Sequence, residues 1–295
     1  MSQPEPLYFT EFKNSKNSHL PHYFVVGHPI AHSLSPLMHN LALKHYSLDA
    51  TYYSIDLHPR QLTDFIAWVN RDEFLGCNVT IPWKRELMNL PDVLSPEVEA
   101  VGALNTLSKT EGGTRILGNN TDIYGFSQPL EAYEDILSRQ RAIIFGSGGA
   151  SLAVQYALDE MDFEEQIIVS RRPGRVQALE GRGFKRVVGY NQWQSFADEA
   201  ELFINTTPLG MGSIIDESPV DYHDTGLLKD KLCYDLVYNP LKTTFLREAE
   251  SAGAETIGGL DMLIQQGSRS FEIWTGHPFP IHEVKQELLT YFNNQ

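Results

Sequence analysis

The stretch Arg141-Ala142-Ile143-Ile144-Phe145-Gly146-Ser147-Gly148-Gly149-Ala150-Ser151 decides how the rest of this 295-residue chain reads. Its apolar run suits a strand buried on both faces, its glycines suit a tight turn, and the apolar spacing over 152–161 suits a helix. Glycines at such a turn let the backbone approach a pyrophosphate, whose charge is met by the amides opening the next helix. Strand, turn and helix in this order predict a dinucleotide-binding unit, with Gly146, Ser147, Gly148, Gly149 and Ala150 around the phosphates. Ser151 stands where the strict fingerprint takes Gly or Ala. A P-loop is excluded because no Lys-Ser or Lys-Thr follows, and the absence of Gly-x-Ser-x-Gly disfavours an α/β-hydrolase.

About twenty residues past such glycines, the next strand presents an acid to the ribose hydroxyls of NAD, or arginine to the 2′-phosphate of NADP. Here the strand over 166–169 runs into Ser170-Arg171-Arg172-Pro173-Gly174-Arg175, with no acid and three guanidinium groups. Arginine's planar fork matches a phosphate bidentately. NADP is therefore the expected cofactor, with Ser170, Arg171, Arg172 and Arg175 beside it. The cluster stands out on a chain of net charge −15, which repels nucleic acid and anionic membrane surfaces. An anionic substrate would need local donors to enter the same field.

Outward from this unit, apolar runs over 142–145, 166–169, 202–205 and 232–237 read as strands, alternating with helical patterns such as 152–161 and 243–252. An earlier set does the same: strands over 23–27, 51–55 and 76–80, helices over 37–46 and 61–70. Alternation of this kind predicts α/β architecture with parallel sheets, and the restart near residue 140 predicts two of them. Residues 122–137 read as one helix that Thr121 or Asp122 could cap. Residues 1–20 read as a polar leader.

Apolar residues make up 42% and charged residues 21%, as in ordinary globular chains. Cys77 and Cys233 are too few for a disulfide framework or a thiolate metal site and fall in strand-like runs, so buried thiols are expected. No signal peptide or 18-residue apolar stretch is present, which places the protein in the cytoplasm. His28 and His32 have i, i+4 spacing, but Pro29 disrupts a shared helical face, and no metal is expected. The basic run over 181–186 reads as a solvated loop. Trp68, Trp83, Trp193 and Trp274 read as packing residues.

Two polar blocks carry the chemistry. Asn78-Val79-Thr80-Ile81-Pro82-Trp83-Lys84 and Gly118-Asn119-Asn120-Thr121-Asp122 each string together amides and hydroxyls and end in one ionisable group. Such a set suits a pocket that grips a polyhydroxylated small molecule and moves one proton. Lys84 and Asp122 are the catalytic candidates. Hydride transfer to a ketone puts negative charge on oxygen, and an ammonium within reach can stabilise it and deliver a proton. Which of the two formally takes the proton stays open. Further blocks, His32-Ser33-Leu34-Ser35-Pro36, Gly102-Ala103-Leu104-Asn105-Thr106 and Met262-Leu263-Ile264-Gln265-Gln266, border apolar runs, and ligands in parallel sheets bind beyond the strands' carboxyl ends.

With Asn205-Thr206-Thr207-Pro208-Leu209-Gly210-Met211 and Asp235-Leu236-Val237-Tyr238-Asn239-Pro240, these blocks make the chain resemble shikimate dehydrogenases from about residue 23 to 278. The resemblance implies NADP-linked interconversion of shikimate and 3-dehydroshikimate, on the route to aromatic amino acids. It implies a substrate domain over 1–121, a Rossmann-like NADP domain over 122–258, and C-terminal helices over 259–295 returning to the substrate domain. By position Ser33, Ser35 and Tyr238 would hold the carboxylate. Thr80, Asn105 and Gln266, with Asn78 nearby, would meet the ring hydroxyls. Lys84 and Asp122 fall on the family's catalytic pair, and Thr206, Leu236 and Gly259 fall near the nicotinamide. The alternatives are a quinate-preferring or dual-specificity relative, and a binding protein without turnover. A monomer or homodimer with no nucleic-acid or membrane partner is expected.

Overall fold

The computed structural model describes residues 5–294 except 32, 111, 138, 139, 177, 179, 180 and 182. His32 of the histidine pair, Arg182 of the basic run and the first four leader residues lie outside the described residues. Two compact units divide the chain, Met1–Thr121 with Gln266–Gln295, and Asp122–Gln265.

The first unit holds strands β1 (Leu7–Tyr8), β2 (His22–Gly27), β3 (Thr51–Asp56), β4 (Phe74–Val79), β5 (Val93–Leu94), β6 (Thr106–Lys109) and β7 (Ile116–Asn119). They form one sheet in the order β1-β3-β2-β4-β6-β7-β5. Between them run helices α1 (Phe9–Lys13), α2 (Ser35–His45), α3 (Leu62–Trp68), α4 (Trp83–Glu86) and α5 (Pro96–Val101). β2 is buried along its whole length between β3 and β4, parallel to both, as its apolar run predicts. The expected all-parallel pairing is broken by β6, which runs antiparallel to β4 and to β7, while β1 with β3 and β5 with β7 stay parallel. For β6 and β7 the physical reason is the short link: the Thr110 N–H donates to Arg115 O at 2.9 Å, and a connection of this length returns the chain only antiparallel. This reversal puts Asn78, Thr106 and Asn119 side by side across three strands.

Residues 5–20 are no idle leader. β1 pairs with β3, and Phe9 and Phe12 are fully buried, their rings 5.6 Å from Phe65 and 5.0 Å from Phe24. Each buried phenyl contributes about 1.5–3 kcal/mol. The signal was present in Leu7-Tyr8-Phe9 and Phe12, one helical turn apart, but polar neighbours diluted it.

The second unit holds β8 (Arg141–Phe145), β9 (Glu165–Val169), β10 (Phe184–Val188), β11 (Leu202–Asn205), β12 (Leu232–Asp235) and β13 (Glu255–Ile257). All pair in parallel, in the order β10-β9-β8-β11-β12-β13. Counted within the unit this is third, second, first, fourth, fifth, sixth, the doubly wound order whose reversal, here between β8 and β11, opens a ligand crevice. Ala142 and Ile144 join one apolar cluster while Ile143 and Phe145 join the other, so β8 is buried on both faces.

Around this sheet lie α6 (Thr121–Ser127), α7 (Glu134–Leu137), α8 (Gly149–Glu160) and α9 (Thr244–Ala252), and the chain ends with α10 (Gly259–Thr275) and α11 (Ile281–Asn293). The single helix expected over 122–137 is broken: α6 stops at Ser127 and a 3-10 segment, Gln128–Tyr133, precedes α7. Pro129 has no N–H to continue the α-helical ladder. Buried Asp159 at the end of α8 receives Lys185 Nζ at 2.7 Å and Gln166 Nε2 at 2.8 Å, pinning the helix to β9 and β10. Cys77 and Cys233 are free and buried, and burial pushes both thiols up.

Candidate active site

In the first unit Asn78, Thr80 and Asn105 lie where β4 ends and β6 begins, while Ser35 opens α2 and Gln266 lies on α10. The Thr80 N–H donates to Val26 O at 2.9 Å, continuing the ladder by one residue. Gly27 makes room for this, since a Cβ there would lie 2.6 Å from Thr80 Cγ2. The Trp83 N–H donates to Thr80 O at 2.8 Å and opens α4, which carries half-buried Lys84. Lys84 O in turn accepts from the Leu104 N–H at 3.0 Å, tying the lysine's backbone to the residue before Asn105.

Asn78 and Asn105 belong to one buried network of neutral groups. Tyr52 Oη donates to Asn78 Oδ1 at 2.7 Å, and Asn78 Nδ2 donates to Ser270 Oγ at 2.8 Å and Thr106 Oγ1 at 3.1 Å. Asn105 Nδ2 donates to Thr121 Oγ1 at 2.9 Å, while Asn105 Oδ1 accepts the Thr121 N–H at 2.7 Å. Asn78 thus braces its neighbours with both ends of its amide. Ser35, buried at the start of α2, donates its N–H to Ser33 Oγ at 3.3 Å. Gln266 is buried on α10.

In the second unit Asp122 is buried in the first turn of α6 and Tyr238 is half-buried after β12. The segment carrying Leu236 and Tyr238 is anchored by Asp235, whose carboxylate accepts from Asn205 Nδ2, the Val237 N–H and Thr243 Oγ1 at 2.6–2.9 Å. Burial nevertheless pushes its pKa up to about 6. Gly259 approaches so closely that a Cβ would lie 2.3 Å from Leu236 O.

The glycine turn follows the expected geometry. Gly146 has φ +114, and a Cβ on it would lie 2.3 Å from Thr206 Oγ1, which donates to Phe145 O at 2.8 Å. At Gly148 and Gly149 a Cβ would meet nothing within 4 Å, so the backbone there faces open space. No side chain caps α8, which leaves its first amides for an anion. Ser147 Oγ lies 3.2 Å from Ser170 Oγ, which also accepts the Arg172 N–H at 3.2 Å, and Arg171, Arg172 and Arg175 are exposed beyond the end of β9. This donor set fits a dinucleotide with an extra phosphate. Ser151, the departure from the fingerprint, is buried and accepts from Gln155 Nε2 at 3.2 Å.

Sequence reading missed Ser270, Thr106 and Tyr52 as members of the network. Ser270 lies four residues after Gln266, hence on the same helix face, which was the available signal. Among the described residues, no helix is long and apolar enough to cross a membrane.

Residues 25–107 match the family model of the shikimate dehydrogenase substrate binding domain, and residues 259–289 that of the shikimate 5′-dehydrogenase C-terminal domain. A shikimate dehydrogenase (NADP(+)) from Methanococcus maripaludis is 37% identical over 90% of this chain and 96% of its own length. The chain belongs to the shikimate dehydrogenase family. Among solved members, the Thermus thermophilus enzyme in complex with NADP(H) and shikimate is 34% identical, with a TM-score of 0.76 over 90% of this chain and 98% of that one. The Listeria monocytogenes enzyme, in complex with shikimate and NAD, is 28% identical with a TM-score of 0.82, covering 92% and 96%. Family relatives therefore share both units of the fold.

Proposed function

We propose that this chain is an oxidoreductase that interconverts shikimate and 3-dehydroshikimate with NADP, using Lys84 and Asp122 as its acid-base pair. In this reading residues 1–121 and 259–295 bind the substrate and residues 122–258 bind NADP. The observation that carries it is the 37% identity, over nine-tenths of the chain, to a relative named for that activity.

When bound, NADP supplies the hydride acceptor, or as NADPH the donor. The carbinol carbon gives up its hydrogen as hydride, and the hydroxyl oxygen gives up its proton to the Lys84–Asp122 pair as the C=O bond forms. In the reverse direction Lys84 stabilises the oxyanion and returns the proton. Asp122 orients the ammonium and the reacting hydroxyl.

Ser33, Ser35 and Tyr238 hold the substrate carboxylate with neutral donors. Thr80, Asn105 and Gln266 meet the ring hydroxyls, and Asn78, with Tyr52, Thr106 and Ser270 on its amide, keeps Asn105 in place. The amides of Gly148, Gly149 and Ala150, with Ser147, receive the diphosphate. Arg171, Arg172 and Arg175, beside Ser170, take the 2′-phosphate, and the absence of an acid after β9 supports NADP over NAD. Thr206, Leu236 and Gly259 line the nicotinamide side.

A two-by-two assay of shikimate or quinate with NADP or NAD, followed by the absorbance of reduced nicotinamide, tests the reading. Turnover is expected to be highest with shikimate and NADP. Preference for quinate would move the chain to that substrate class, and binding of shikimate and NADP with no NADPH formed would make it a sensor.

A further inference from the structure

We propose that Ser270 is a positioning residue for this reaction, setting the orientation of Asn78 and Thr121 and through them the contacts that Asn105 offers to the shikimate hydroxyls. The inference rests on the substrate reading above.

Ser270 is fully buried on α10, one turn beyond Gln266, and its hydroxyl is the meeting point of four groups. It donates to Gln266 O at 3.0 Å and accepts from Asn78 Nδ2 at 2.8 Å. Thr106 Oγ1 lies 2.9 Å away and Thr121 Oγ1 3.0 Å away. A hydroxyl has one proton and two lone pairs. With its proton on Gln266 O, Ser270 can satisfy Asn78 and Thr121 as acceptor, while Thr106 Oγ1 donates to Asn105 Oδ1 at 2.9 Å. In this assignment the two hydrogens of Asn78 Nδ2 go to Ser270 and Thr106, and its Oδ1 keeps the Tyr52 hydroxyl. Both hydrogens of Asn78 Nδ2 and the hydroxyl protons of Tyr52, Thr106, Thr121 and Ser270 then each have an acceptor, so the amides of Asn78 and Asn105 cannot flip without breaking a buried bond.

Removal of the Ser270 hydroxyl frees one hydrogen of Asn78 and the lone pair that Thr121 uses. Thr121 then has Asn105 Oδ1, at 3.2 Å, as its competing acceptor, on the very atom that already takes the Thr121 N–H. The consequence falls on Asn105, and on the backbone immediately before Asp122. Because all members are neutral, Ser270 acts on geometry and moves no proton.

The test is steady-state kinetics and thermal unfolding of wild type, Ser270→Ala and Ser270→Cys, the second keeping a side chain of similar size with a weak donor and acceptor. Ser270→Ala is expected to raise KM for shikimate about tenfold, the size of one buried hydrogen bond. KM for NADP and the pH profile of kcat stay unmoved, Tm stays within a few degrees, and Ser270→Cys falls between. In an Asn78→Ala background the second substitution adds little, since both act through one contact. Unchanged KM for shikimate in Ser270→Ala, full additivity with Asn78→Ala, or a loss that follows only the fall in folded protein overturns the inference while leaving the proposed reaction standing. A wild-type chain with no turnover of shikimate and NADP overturns both.

Discussion

The proposed function asks the carboxyl ends of β4 and β8 to recognise their ligands in opposite ways. At the end of β4 the proposed recognising groups are side chains, Thr80, Asn105 and Gln266, of which Asn105 is held in a buried lattice of amides and hydroxyls. At the end of β8 the proposed groups are backbone amides around Gly148 and Gly149, with exposed guanidinium groups from Arg171 and Arg175. A polyol presents donors and acceptors at fixed angles, so each partner must be oriented, and burial with full hydrogen bonding orients it. A phosphate presents diffuse charge, which helix amides and guanidinium forks meet without such a lattice. Substitution of a polar side chain should therefore hurt the first unit's ligand, and substitution of a glycine the second's.

The interiors differ too, and the largest expected effect follows from that. The first unit buries His22 and His39, whose pKa values burial lowers from the ordinary 6.5 to about 4 and about 3. His22 Nδ1 meets Leu20 O at 2.6 Å, whereas His39 stacks 4.4 Å from the Tyr52 ring. Folded, both stay neutral where the unfolded chain takes up protons, so their stability is fully present above pH 6.5 and is lost as pH falls toward those values. The second unit buries Asp235, raised from 3.8 to about 6, whose contribution is fully present below pH 3.8 and lost as pH rises through about 6. Between pH 7 and 4.5 the first unit should lose about 5 kcal/mol, at 1.36 kcal/mol per pKa unit, while the second gains. Urea titrations of variants retaining only Trp274 or only Trp193 separate the two; equal acid sensitivity would erase the contrast.

Next in size, Lys84→Ala should lower kcat by about 10²-fold or more with a smaller change in KM, as for a lost acid-base group. Stopped-time assays of NADPH formation measure it, and an unchanged kcat would remove Lys84 from the chemistry. Gly146→Ala comes third. A Cβ at φ +114 and 2.3 Å from Thr206 Oγ1 should cost about 1–3 kcal/mol of second-unit stability and weaken NADP binding, read by urea midpoint and KM. Wild-type values for both would mean that the turn does not need its glycine.

Legibility divides along the same line. The β8 strand, its glycine turn and α8 are contiguous, so one stretch of text specifies them, and the arginines follow one strand later. The first unit's candidate residues run from Ser33 to Gln266, and the lattice that joins Asn78 to Ser270 leaves no local spacing to read. Lys84 and Asp122 stand out in the text, as the proposed pair, because each ends a polar run. Ser270 was not, because a lone hydroxyl on an amphipathic helix looks like any other. β1 with Phe9 and Phe12 was hidden by polar neighbours, the antiparallel turn into β7 depended on the length of one link, and Pro129 overrode the helical spacing around it.

The division of labour itself is tested most directly by crossed Michaelis constants for Asn105→Ala and Arg175→Ala. Asn105→Ala is expected to raise KM for shikimate about tenfold and to leave KM for NADP within about twofold, and Arg175→Ala to do the reverse, each at the scale of a lost hydrogen bond to a ligand. The opposite assignment, or both constants rising together in both variants, would contradict it.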